Sequence, residues 1–417
     1  MKIDSKLLGA ALIASQAIAG TVLAQTELEV VSWKGAGTEV AEIPTIIKKF
    51  EKANPDIKVR LNYMARNDMV TSIPARMQSG DVPDVVMVDN EFILHWGGNG
   101  QLEPLNGLPF VERLQPSLLP YSGLDSTIYY AMLEVSGKGV YTNDDLLAKA
   151  GIESFPETID ELVVACGKLN DKGILPMLLA ANNGGWTPYV YFLAMGLTDG
   201  DAPDPDRMEK LTSGELKFAG DPYMKGAFEG FKKLIDAKCF DPRISAGTDP
   251  WSVALTSFQA GRVAMLPQGM WNIPTFKKDT LPENFSFYPF PSANSDKAMV
   301  MDYNGPGWAI PTAAKDKEAA KRWIDFWMQD ENLQIFVTAD TGLSTLKGGT
   351  SGLPAVAEAY EAARNAGHVV TFPVGRSFPA QLGADMPNDI TSFMLNPDQD
   401  YTQILERWDQ TAAKERQ

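Results

Sequence analysis

Residues 28–88 decide the fold, and they read LEVVSWKGAGTEVAEIPTIIKKFEKANPDIKVRLNYMARNDMVTSIPARMQSGDVPDVVMV. Three short segments predict strands: Leu28–Ser32, Ile57–Tyr63 and the almost wholly apolar Asp84–Val88. Between them, apolar residues at helical spacing predict two helices: Glu39–Ala53 and Met69–Gln78. Alternating strands and helices of this kind are typical of an α/β fold, in which helices cover both faces of a parallel sheet.

The pattern begins again further along the chain. Gly139–Thr142 is predicted to be a strand and Asn143–Ala150 a helix. A longer helix is expected over Ile159–Leu169, with Thr158 as its N-cap and Glu161 three residues later. Two α/β sections predict two lobes. Ligands bind beyond the carboxyl ends of parallel strands, so we expect the site in a cleft between the lobes.

The amino terminus has the features of a secretory signal peptide. Lys2 and Lys6 make a basic start, Leu7–Ala19 is mostly apolar, and Val22–Ala24 supplies the small residues of a cleavage site. The apolar stretch is too short to span a membrane. We therefore expect a soluble periplasmic chain that begins near Gln25.

Charge and composition exclude several functions. The chain has 37 Lys and Arg against 53 Asp and Glu, a net charge of −16. Binding to nucleic acid or to an anionic membrane needs clustered cations, so both are unexpected partners. The two histidines, His95 and His368, argue against a zinc site or a catalytic histidine. No phosphate-binding loop, H-E-x-x-H or G-x-S-x-G motif occurs, so we expect no enzyme activity, metal or cofactor.

The two cysteines leave two possibilities open. In an oxidising compartment Cys166 and Cys239 can pair. Both also lie on or beside predicted amphipathic helices, where two small buried thiols would be equally ordinary.

Five motifs in order carry a resemblance to a known family. They are VSW at 31–33 with FEKANP at 50–55, GDVPDVV at 80–86, VYTNDDLL at 140–147 with PETIDEL at 156–162, FQAGRVAM at 258–265, and GPGWAI at 305–310. Each is weak alone, but together they cover about 300 residues. The chain resembles the family 1 extracellular solute-binding proteins, which include the maltose- and glucose-type binding proteins of ABC importers.

The resemblance implies a two-lobed periplasmic-binding-protein fold, each lobe a mostly parallel sheet flanked by helices. Residues 1–24 would be the signal peptide. Residues 25–135 and 300–345 would form lobe I, and residues 136–299 and 346–417 would form lobe II. It also implies a monomer that captures a carbohydrate by hinge closure and delivers it to the permease subunits in the membrane.

Tryptophans are the first candidates for ligand contact, because sugar rings stack on flat apolar faces. Trp33 follows the first predicted strand, and Trp186 follows the polar loop Asn182–Gly185. Trp271 closes a turn that the resemblance puts on the cleft wall. Packing within a lobe is the alternative role for each. Two further tryptophans share one helical face and are expected in the core: Trp323 and Trp327.

Polar candidates lie at predicted strand ends and helix starts. Asp89 and Asn90 end the third strand, and Asn304 precedes a glycine-containing loop. Glu39 and Asn67 open helices, where an acid gains from the helix dipole and an Asn can act as N-cap. We expect ligand contacts from seven polar residues: Glu39, Asn67, Asp89, Asn90, Glu134, Asn304 and Arg376.

Three other functions compete with sugar capture. A glycerophosphate or polyol binder in the same transport role is the main alternative. A glycoside hydrolase would need two carboxylates across the cleft, for which Asp89, Glu91 and Glu134 are available. A ferric-ion binder would use phenolates such as those of Tyr129 and Tyr130, but no acidic or histidine cluster accompanies them.

Overall fold

The computed structural model describes residues 25–36, 41–182, 184–197, 206–279, 284–372 and 379–416. The strands in these ranges are β1 Thr26–Ser32, β2 Ile57–Tyr63, β3 Val85–Val88, β4 Gly123–Leu124, β5 Thr127–Ile128, β6 Ala131–Met132, β7 Glu134–Asn143, β8 Met265–Gly269, β9 Phe285–Tyr288, β10 Val300–Asn304, β11 Gly307–Ala309, β12 Leu343–Ser344 and β13 Val369–Thr371. The helices are α1 Ile43–Ala53, α2 Arg66–Ser79, α3 Asn90–Phe92, α4 Phe110–Arg113, α5 Asp144–Lys149, α6 Ile159–Asp171, α7 Trp186–Gly196, α8 Arg207–Ser213, α9 Pro222–Asp236, α10 Pro242–Gly247, α11 Val253–Gln259, α12 Ile273–Asp279, α13 Lys317–Trp327, α14 Asp330–Asp340, α15 Glu358–Asn365, α16 Ala380–Leu395 and α17 Tyr401–Glu415.

The first sheet has the strand order β2-β1-β3-β11-β6. The strands β1, β2 and β3 pair in parallel, and α1 and α2 connect them, as the opening stretch of sequence predicts. The late strand β11 pairs antiparallel with both β3 and β6. We call the part of the protein built on this sheet the first lobe.

The second sheet is organised around the long strand β7, which is buried along its whole length. It pairs antiparallel with β8, β9, β10 and β12, while β10 pairs in parallel with β13. The two-sheet α/β architecture is as expected, but strand directions are mixed instead of mostly parallel. The chain reaches the neighbours of β7 through long excursions, with α5 to α11 lying between β7 and β8, and not through successive strand–helix–strand units.

Local sequence signals set several helix starts. At α6, the Thr158 hydroxyl accepts from the backbone N–H of Glu161, while the Glu161 carboxylate accepts from the N–H of Thr158. This is the predicted capping box. The helix α2 begins at Arg66 with no side-chain cap, so neither Asn67 nor Asp68 is its N-cap.

Each lobe has its own apolar core. In the first lobe Trp308, Trp323 and Trp327 are completely buried, and Phe50 packs edge-on against Trp323 with ring centroids 5.2 Å apart. The expected core role of Trp323 and Trp327 is confirmed. In the second lobe Trp408 is equally buried. None of the described helices is long and apolar enough to cross a membrane.

The chain passes between the sheets close to β7. The strand β10 belongs to the second sheet, and Gly305 and Pro306 then lead into β11 of the first. This return lies further along the chain than the boundary expected before Val300. The short strand β12 pairs with the start of β7, so these segments lie side by side. The full division of the residues into lobes stays a prediction.

Cys166 and Cys239 form a disulfide, with their Cα atoms 5.1 Å apart. Both residues are completely buried. The bond links α6 to the segment after α9 and closes a loop of 73 residues, and it resolves the alternative that the sequence left open.

Candidate ligand-binding site

Four aromatic side chains surround the ammonium group of Lys138 in the second lobe. The Lys138 Nζ atom lies 3.8 Å from the ring centroid of Trp186 and 4.0 Å from that of Tyr303. It lies 4.4 Å from the ring centroid of Phe372 and 6.0 Å from that of Trp271. We call these five residues the aromatic box. Two of the tryptophans predicted to contact ligand, Trp186 and Trp271, thus come together here.

Glycines let both tryptophans take these positions. Gly184 and Gly185 have φ angles of 69° and 70°, a left-handed conformation in which the chain turns into α7 and its first residue, Trp186. The Trp271 ring lies over Gly269, where a Cβ atom would stand 2.2 Å from it. Only glycine leaves room for the ring at that position.

Strand register positions the rest of the box. Tyr303 on β10 lies opposite Ser136 on β7, and Lys138 is two residues further along β7 on the same face. Phe372 follows β13, and its backbone N–H donates to the carbonyl of Asp302. Neighbouring strands of one sheet therefore hold the lysine and two of its rings.

The surroundings of Lys138 are unusual for a lysine. Its side chain is 1% exposed, and its Nζ atom has no hydrogen-bond partner among the described residues. Burial lowers the pKa of Lys138 well below the usual lysine value; Asp89 opposes the shift and Arg66 adds to it. Cation–π attraction to the nearby rings favours the charged form.

An ion-paired cluster of the first lobe, formed by Arg66, Asp89 and Glu91, contacts the aromatic box through Tyr303. The Arg66 guanidinium on α2 lies 2.7 Å from the Asp89 carboxylate and 2.5 Å from that of Glu91. The Tyr303 hydroxyl donates to Asp89 at 3.5 Å, which joins the two lobes. Asp89 is at the end of β3, where it was predicted to face the cleft.

Trp33 and Asn90 lie nearby in the first lobe. The half-buried Trp33 ring is 6.1 Å from that of Phe92, over which Arg66 lies at 4.9 Å. The Asn90 amide donates to the Tyr121 carbonyl at 2.5 Å and accepts from the Tyr130 hydroxyl at 3.2 Å. The side chain of Asn90 is thus committed to its own lobe.

Glu134 occupies a separate buried cluster where the lobes join. It packs against Gly305 and Gly342, and its neighbour Asp340 is ion-paired with Lys34 at 2.8 Å. Burial raises the pKa of Glu134 well above its ordinary value; Asp340 raises it further, and Lys34 opposes the shift. This cluster stands beside the strand crossing, where hinge residues would have to lie.

The remaining predicted contacts are dispersed. Asn304 is buried at the end of β10, and its Nδ2 atom has no hydrogen-bond partner among the described residues. Asn67 is exposed in the first turn of α2 and is not part of the box. Glu39 and Arg376 lie outside the described residues.

Five residues at the site were not among the ligand contacts predicted from the sequence: Arg66, Lys138, Trp251, Tyr303 and Phe372. Trp251 is 41% exposed, and its ring lies 5.7 Å from Trp186 and 6.3 Å from Trp271. A lysine inside the otherwise apolar and small-residue run Val135–Tyr141 was the one visible signal, because a lysine is rarely buried without a partner.

A family model described as bacterial extracellular solute-binding protein matches residues 35–334. Among curated proteins, the chain is 28% identical over 309 residues to an uncharacterized ABC transporter extracellular-binding protein of Pyrococcus horikoshii, covering 72% of this chain and 67% of the relative. It is 22% identical to the multiple sugar-binding protein of Streptococcus mutans, covering 74% of this chain and 73% of the relative. It is 24% identical to the maltodextrin-binding protein of Bacillus subtilis, covering 70% and 68%.

Solved structures share the fold. A chitin oligosaccharide binding protein aligns with a TM-score of 0.77 at 20% identity, covering 94% of this chain and 98% of its own. The raffinose complex of the solute-binding protein RafE aligns with a TM-score of 0.76 at 18% identity, covering 94% of this chain and 100% of its own. The two-lobed architecture is therefore shared with these proteins.

Proposed function

This chain belongs to the bacterial extracellular solute-binding protein family, and we propose that it captures a carbohydrate for an ABC importer. The observation that carries the proposal is the aromatic box with the Arg66–Asp89 pair facing it from the other lobe. Aromatic faces suit the C–H side of a sugar ring, and planar charged groups suit its hydroxyls.

Capture would proceed by hinge closure. A ligand that touches Trp186 and Trp271 in one lobe and Asp89 in the other gains contacts only when the lobes are together. It therefore binds the closed form better and shifts the population toward it by that difference in affinity. The permease subunits would recognise the closed form. Capture and delivery would then require no chemical reaction on this chain. A monomer is sufficient for that role.

A thermal-shift screen of the secreted protein tests the proposal. The panel contains mono-, di- and trisaccharides, polyols, glycerophosphates and uronates. A true ligand at a hundred times its Kd adds about 2.7 kcal/mol to the free energy of unfolding. We expect one saccharide class to raise the melting temperature. Stabilisation by glycerophosphate or polyols alone would replace the carbohydrate with the alternative ligand.

A further inference from the structure

Among the residues that the structure describes, none accepts a hydrogen bond from the Lys138 ammonium. The side chain is buried to 99%, Nζ has no hydrogen-bond partner among the described residues, and three ring faces stand within 4.4 Å. Rings attract a cation but accept no conventional hydrogen bond. An unpaired charge at such a depth is costly unless an acceptor arrives. A bound ligand would therefore have to supply the hydrogen-bond acceptor for the Lys138 ammonium.

The carboxylates of the opposite wall do not fill this role. Asp89 and Glu91 both pair with Arg66, at 2.7 Å and 2.5 Å. Within the described part of the chain, no carboxylate oxygen lies within ion-pair distance of Lys138. Asp89 acts on Lys138 only as a more distant charge.

Two more buried hydroxyl groups on residues near the box have no hydrogen-bond partner among the described residues, those of Tyr189 and Ser136. The Tyr189 ring packs edge-on against Phe372 with centroids 5.7 Å apart, and its hydroxyl has no hydrogen-bond partner in the described structure. The Ser136 hydroxyl, on the same face of β7 as Lys138, is equally without a partner there. A group with two acceptor oxygens would satisfy the ammonium and a hydroxyl together.

We propose that the ligand is an acidic sugar whose carboxylate binds Lys138, so that Lys138 determines specificity for uronates over neutral sugars. This rests on the proposed capture of a carbohydrate. A neutral hydroxyl would leave the ammonium charge uncompensated, whereas a carboxylate neutralises it and accepts from its N–H groups. The surrounding rings then pack against the apolar face of the sugar.

A carboxylate fits better than a phosphate. The box holds a single cation without a carboxylate partner, and the wall that faces it carries Asp89 and Glu91. A monoanion balances Lys138. The second charge of a phosphate would be repelled by those two acids, because the single charge of Arg66 cannot balance both of them.

Matched ligand pairs test the inference on the wild-type protein by titration calorimetry. The pairs are glucuronate and glucose, galacturonate and galactose, and mannuronate and mannose, each as monomer and dimer, with glucose 6-phosphate as the phosphate arm. We expect one uronate to bind about ten- to a hundredfold tighter than its neutral partner, as for a hydrogen bond to a charged group. In Lys138→Met, and in Lys138→Gln, which keeps N–H donors without the charge, that ratio should fall to near one.

Lys233→Met is the matched control, because Lys233 is 54% exposed on α9 and pairs with Asp160 at the surface. It should keep the uronate preference. Neutral sugars that bind as tightly as uronates to the wild-type protein would overturn the inference and leave carbohydrate capture standing. Tighter binding of the sugar phosphate, or a preference that persists in both Lys138 variants, would also overturn it. Binding of no saccharide from either class would remove the proposed function itself.

Discussion

Replacing Trp271 with alanine should weaken ligand binding more than folding, and replacing Trp323 should do the reverse. Trp323 is completely buried among Phe50, Trp308 and Trp327, whose ring centroids lie 5.2–5.6 Å away. Its indole buries about 200 Å². At about 25 cal/mol per Å², this truncation costs about 5 kcal/mol of unfolding free energy, within the usual range for a buried aromatic.

The indole of Trp271 has looser surroundings. Its ring neighbours stand 6.2–6.3 Å away, near the outer limit of ring contact, and the residue remains partly exposed. We expect Trp271→Ala to cost about 1 kcal/mol of unfolding free energy, the typical cost of a point substitution outside a tightly packed core. Loss of a stacked aromatic at the centre of a site should cost at least about 2 kcal/mol of binding, or roughly thirtyfold in Kd.

Urea melts followed by circular dichroism give the unfolding free energies, since fluorescence would change with the number of tryptophans. Titration calorimetry with the sugar found in the screen gives the affinities. Trp323→Ala should retain the wild-type Kd under conditions where it is folded. If the two variants lose equal stability and Trp271→Ala binds normally, Trp271 is a core residue and the site lies elsewhere.

Three further outcomes are expected. Because the pKa of Glu134 is raised, the stability that Glu134 contributes is complete below its ordinary pKa of 4.5 and is lost as the pH rises through the raised pKa. Glu134→Gln should therefore have a higher melting temperature than the wild type at pH 7. This difference should shrink as the pH falls toward 4.5. Cys166→Ser opens a loop of 73 residues and should lower the unfolding free energy by about 4 kcal/mol in denaturant melts, and an unchanged unfolding free energy would contradict this. Small-angle scattering should show a smaller radius of gyration with saturating ligand, and an unchanged radius would refute hinge closure.

Local patterns determined the elements of the fold. Residues 57–63 form a strand with the predicted bounds, and Thr158 and Glu161 form the predicted capping box. These features depend on residues a few positions apart, so they are readable from the chain alone. The core role of Trp323 and Trp327 followed from their shared helical face in the same way.

Whether neighbouring strands run parallel or antiparallel was harder to predict from the sequence. Whether two strands pair in parallel depends on the path of the chain between them, and β7 collects partners from segments far away in sequence. The pairing of Cys166 with Cys239 has the same origin, because only the packing of α6 beside the end of α9 brings the two sulfur atoms together.

The sequence by itself determined the α/β class and the resemblance to a solute-binding family, and it made Trp186 and Trp271 candidate ligand contacts. Only the tertiary structure shows that these two tryptophans lie together and that the Lys138 ammonium lies between them and other aromatic rings. Lys138 sits on a strand between small and apolar residues, and its neighbours Tyr303 and Phe372 follow it by well over a hundred positions. The chemistry of a binding site depends on distances across the fold, and no periodicity along the chain encodes those distances.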